Sequence, residues 1–89
     1  MTRSEHDKVL GAGWCASRHA EIRALERDID AHHVLETLLN PEVTYPDCRG
    51  RGRSRFVRGD VLVVAVPDEL VVITVLHRHE SGGGLVAAA

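Results

Sequence analysis

Apolar residues recur at helical spacing from Ser17 to Asn40. From Val43 to Leu76 they come instead in short β-branched runs separated by turn residues. Ser17 is a predicted N-cap, with Glu21 close to a capping-box position and Ile22, Leu25 and Ile29 as a narrow buried stripe. A second helix starts at Asp30 and buries Val34, Leu35, Leu38 and Leu39. It stops at Asn40-Pro41, because proline lacks an amide hydrogen and disfavours a helical residue before it. The two helices make a tight hairpin, but the second carries no Arg or Lys for DNA, which argues against a DNA-reading motif.

Strands are predicted over Val43–Tyr45, Arg53–Arg58, Val61–Val66 and Leu70–Leu76, with turns at Pro46-Asp47, Gly59-Asp60 and Pro67-Asp68-Glu69. The short connections imply an antiparallel meander. The almost wholly apolar Val61–Val66 run belongs at its centre, buried on both faces. Strict alternation in the last strand sets Thr74 on one face with Leu70, Val72 and Leu76, and Val71, Ile73, Val75 and His77 on the other. Gly11 and Gly13 interrupt the opening segment, so residues 1–16 are expected to be a loosely ordered arm. Residues 17–80 then form a single domain, and the glycine-rich 81–89 a flexible tail. The expected fold is α+β, two N-terminal helices packed on a curved three- to four-stranded antiparallel sheet.

Composition refines this picture. Eighty-nine residues make one domain, and with one Trp, one Tyr and one Phe the core must be aliphatic. Two cysteines are too few for a disulfide scaffold. The opening residues are charged and no apolar run approaches a membrane span, so a cytoplasmic, reduced protein with no membrane partner is expected.

Charge is unevenly placed. Residues 1–47 hold nine acids against five bases, and residues 59–89 hold four acids against one. Between them lie Arg49, Arg51, Arg53, Arg55 and Arg58 with no acid. Guanidinium groups pair two-pronged with phosphate or carboxylate, so this stretch is a candidate anion site; it is equally readable as a solvated loop balancing an acidic chain.

Acid–base chemistry is available on the first helix. His19 and Arg23 are one turn apart: the imidazole can move a proton near neutral pH, and the guanidinium can hold an anion against it. Metal-free cleavage of RNA needs that pair, because the 2′-hydroxyl is the nucleophile. Thr74 is the one polar side chain in its strand, either bonded to backbone or turned to a ligand. Cys15, His19, His77 and His79 could in principle ligate zinc, but no CxxC pair exists, so neither a metal nor another cofactor is expected. His32-His33 reads as surface.

The run from His19 to Ile29 resembles the "HAxxRxxxRxI" helix of a family of small bacterial and phage proteins of unknown function. The likeness continues through Leu38-Leu39-Asn40-Pro41 and the last strand, Val71 to Leu76. That family is grouped with toxin-like ribonucleases of the barnase–EndoU–colicin–RelE fold. The resemblance implies a metal-independent endoribonuclease with His19 as general acid/base and Arg23 and Arg55 (or Arg53) as phosphate contacts. Thr74 would be the polar residue of the last strand. Arg27, Arg51, Arg53, Arg58 and His77 would add RNA or phosphate binding, and a cognate antitoxin or immunity protein becomes a candidate partner. The family pattern has Gly where this chain has Asp28, which forces Asp into a left-handed cap. The competing class is a non-catalytic phage or mobile-element module whose Arg-rich strand engages a protein or nucleic acid. A homodimer that covers the sheet edges is a third possibility.

Overall fold

A computed structural model describes residues 8–48 and 50–80. The sheet has six strands, not three or four, and it is mixed. In chain order they are β1 (Lys8–Gly11), β2 (Trp14–Ala16), β3 (Val43–Pro46), β4 (Ser54–Arg58), β5 (Val61–Val66) and β6 (Val71–His77). Their spatial order is β1-β2-β6-β5-β4-β3. Strands β3 to β6 form the antiparallel meander expected from the short turns. The expected arm and the N-terminal position of the helices are both corrected by residues 8–16, which fold as an antiparallel hairpin whose inner strand β2 pairs parallel to β6. The glycines that would break a helix here make the hairpin turn instead: Gly11, Ala12 and Gly13 all take positive φ, at 129°, 52° and 86°. Residues 1–7 and 81–89, the rest of the arm and the tail, lie outside the described residues.

Helix α1 (Arg18–Glu26) opens on Ser17, whose hydroxyl accepts from the Ala20 N–H at 3.1 Å and reaches the Ile73 carbonyl at 3.4 Å. Helix α2 (Ala31–Leu39) opens on Asp30, which accepts from the His33 N–H at 2.9 Å. That hydrogen bond, together with the nearby imidazoles, holds the Asp30 carboxyl below its ordinary range. Both helices lie on one face of the sheet, α1 over β6 and β2, α2 over β5, β4 and the tip of β1. Between them and the sheet sits the main core, which includes Val34, Leu38, Phe56, Val63, Val72 and Val75. Trp14 of β2 closes one end, its ring edge-on to Phe56 at 6.0 Å. Val57, Leu62 and Val64 form a smaller cluster on the opposite face.

Two side-chain placements differ from simple periodicity. In β6 the register slips: Val64 pairs with Thr74 but Ala65 pairs with Val72, leaving Ile73 as an extra residue. Val72 and Val75 therefore both point to the helices, and Thr74 shares the other face with Ile73 and Leu76. In α1 the expected stripe is inverted. Ala20 is fully buried and Ala24 partly so, while Ile22 is 45% and Leu25 76% exposed. The helix ends at Glu26, so Ile29 no longer follows Leu25 at helical spacing. Asp28, at φ 55°, turns the chain and delivers Ile29 to the core alone.

At the outer rim, Pro46 of β3 stands opposite Ser54. Its neighbour Asp47 donates its N–H to the Arg53 carbonyl, so the proline nitrogen faces away from β4 and costs the sheet no ladder bond.

Candidate functional site

On the exposed side of α1, His19 and Arg23 do meet: Arg23 Nε donates to His19 Nε2 at 3.4 Å. The guanidinium is already committed, however, with its Nη1 2.7 Å from Glu26 Oε1. Arg27 reaches the same carboxylate at 3.6 Å. One acid thus sits between the two cations that were candidates for phosphate. His77 lies under the end of this helix, with Nε2 3.1 Å from the Arg27 carbonyl and Nδ1 3.2 Å from Asp60 Oδ2. It ties β6 to α1 and to the β4–β5 turn.

Arg55 is elsewhere. Cross-strand pairing sets Tyr45, Arg55, Val64 and Thr74 in one row. Directly opposed residues share a face, and Val64 belongs to the cluster away from the helices. Arg55 and Thr74 therefore lie on the face opposite His19 and Arg23, separated from each other by Val64. The expected catalytic set of His19, Arg23, Arg55 and Thr74 is not brought together. Sequence pattern determines that Arg55 and Phe56 point to opposite faces, but not which face the helices cover.

Arg55 instead forms an ion pair. Its Nε donates to Asp47 Oδ1 at 3.1 Å, with the Arg55 side chain 16% and the Asp47 side chain 3% exposed. Burial works against the guanidinium charge, but the hydrogen bonds that Arg55 donates to the Tyr45 and Asp47 side chains outweigh it and raise the Arg55 pKa above its ordinary value. Asp47 was not singled out by sequence; an acid immediately before a run of arginines was the available signal. Arg58 is also engaged, donating to the Asn40 carbonyl at 2.9 Å and lying 3.8 Å from Glu36.

That leaves the tip of the β3–β4 hairpin. The Asp47–Arg53 backbone bond closes the loop, and longer contacts link Gly50 N to Asp47 O and Arg53 N to Gly50 O, both at 3.4 Å. The Arg53 side chain lies over Gly50, where an added Cβ would fall 2.8 Å from Arg53 Cδ and Nε. Arg51 is exposed and Arg53 half-buried. Neither has an ion pair or a side-chain hydrogen bond among the described residues; Arg49 lies outside them. Tyr45 of β3, paired across the strands with Arg55, is exposed. Cys48 is a free, exposed thiol in the same loop.

A family profile matches residues 16–77, under the description "Domain of unknown function (DUF4258)". The chain belongs to this family. The DUF4258 match runs from the last residue of β2 to the last residue of β6. It therefore takes in both helices, the Arg hairpin and the whole meander, and leaves β1 outside. Membership of a family of unknown function agrees with the likeness of the His19–Ile29 helix. No curated protein matches the chain. Among the described residues, no helix of this DUF4258 chain is long and apolar enough to cross a membrane, and no three His, Cys, Asp or Glu side chains gather at a metal-sized site.

Proposed function

We propose that this domain is a binding module that grips the phosphate backbone of RNA with the tip of its β3–β4 hairpin. The observation that carries this is the division of labour among the arginines. Arg23, Arg55 and Arg58 are bound to acids or carbonyls of the fold, whereas Arg51 and Arg53 have no such partner among the described residues. Guanidinium groups with no partner among the described residues, at the tip of a two-stranded ribbon, suit phosphate, and the exposed Tyr45 ring offers a surface for a base. The likeness of the His19–Ile29 helix to a family that is grouped with toxin-type ribonucleases favours RNA over other polyanions. With a net charge of −2 the chain has no broad cationic field, so the attraction is local to the hairpin. Cleavage is the weaker reading: it needs a proton shuttle and a free cation at one phosphate, and the cation bonded to His19 among the described residues, Arg23, is already paired with Glu26.

Fluorescence polarisation with a labelled single-stranded RNA, repeated across salt concentrations, tests this. Two or three phosphate contacts predict a slope of log K against log salt of about −1.4 to −2.1, since each contributes roughly −0.7. Replacing Arg51 and Arg53 together by Ala should reduce the slope by about 1.4. An unchanged slope refutes the assignment. RNA recovered cut in EDTA, with cutting lost in His19→Ala, would restore the enzyme.

A further inference from the structure

A second feature lies apart from the hairpin. The alanines that α1 turns inward leave space that its larger residues do not fill. A cavity of about 230 Å³ results, bounded by α1, α2, β1 and β6. Its apolar lining includes Ala20, Ala24, Ile29, Val34 and Val75, and the largely exposed Leu25 forms one wall. Lys8 and Glu21 also border it. These two charges are opposite in sign, so the cavity presents no net charge to a ligand.

We infer that this cavity is a binding site for a small neutral apolar molecule. Apolar pockets take up hydrophobic solutes; an enclosed one of about 150 Å³ in another protein accepts benzene. Scaled by volume, about nine non-hydrogen atoms fit here, the size of a bicyclic aromatic such as indole. A ligand carboxylate would meet Glu21 as well as Lys8, and a ligand amine Lys8 as well as Glu21, so neither gains a net attraction to offset the loss of its hydration against the apolar lining. Neutral ligands escape both. The opening is walled by the exposed Leu25 side chain, so entry needs no unfolding. The size of the cavity suits one such molecule better than a docked helix, whose apolar face spans several turns.

Titration of the full chain with indole, followed by two-dimensional amide NMR, tests the site. Saturable shifts are expected at Ala20, Ala24, Val34 and Val75. Benzoate and benzylamine should bind at least tenfold more weakly than indole. Ala24→Phe fills the cavity and should abolish binding. Because that variant can also disturb packing, Leu25→Ser provides a second check at an exposed position: it removes the wall and should weaken binding at least tenfold with the fold intact. Val9→Ser, at an exposed residue outside the lining, should bind as the parent does. The inference is overturned if indole gives no saturable shifts, if the shifts map elsewhere, or if charged probes bind as tightly. It is equally overturned if light scattering shows a dimer that Leu25→Ser dissociates, because the cavity would then be an interface between copies.

Discussion

Replacing Arg55 by Ala separates a structural arginine from a phosphate-binding one. The substitution strands Asp47, which is 5% exposed, with its ion-pair partner gone. Breaking a buried pair from one side costs about 3–5 kcal/mol, because the remaining charge has neither water nor a counter-ion. A chain of this length has a total stability of about 4–13 kcal/mol, so the loss is a large share of it. For a domain of this size about 3 kcal/mol corresponds to a fall in Tm of roughly 12–24 °C. Urea denaturation and thermal melts measure the effect directly. Removing both charges in Asp47→Leu/Arg55→Met should recover most of the loss, since an apolar pair avoids desolvating two ions. RNA binding supplies the contrast: Arg55→Ala, studied cold where it remains folded, should keep the parental salt slope. A variant with a stability change under about 1 kcal/mol and a slope reduced by about 0.7 would refute the reasoning, and Arg55 would belong to the phosphate site after all.

Ser17→Ala removes the α1 cap and the link to the Ile73 carbonyl; chemical denaturation should show a loss of about 1–2 kcal/mol. Asp28→Gly relieves a left-handed backbone at φ 55° and should stabilise by about 1 kcal/mol, seen as a higher denaturation midpoint with unchanged slope. The Asp30 carboxyl sits below its ordinary pKa, chiefly through the His33 N–H. Its contribution is therefore complete above the ordinary aspartate value near 4 and is lost as pH falls through the lower folded value. Asp30→Asn, which caps without ionising, should flatten that acid limb in a pH series of thermal melts.

Much of the meander was legible, and for a simple reason: Val61–Val66 is apolar at every position and is bounded by turn residues, so its ends coincide with β5. Both helix caps were equally visible, as Ser17 and Asp30 are short acceptors ahead of helical runs. Residues 8–16 were not, because β1 and β2 are only four and three residues long and their pairing with β6 is a long-range event. The slip at Ile73 was hidden too; a single extra residue leaves no mark in a uniformly β-branched run. The site was harder still. His19 and Arg23 meet because one turn of helix brings them together, a local fact. Whether Arg55 joins them depends on which side of the sheet the helices cross, and Asp47 decides what its charge does instead.

Pro46, with its nitrogen turned outward, has a bearing on behaviour at high concentration. An open rim of a sheet is a template on which another molecule can stack. A net charge of −2 offers little repulsion to prevent it. On β3 the proline withholds a donor that an incoming strand would need, and the opposite rim is broken by the irregular register between Val9 and Gly11. Both borders of the sheet are thus poor seeds for fibre growth, and the arginine loop beside Pro46 can stay open to solvent without the strand next to it recruiting neighbours.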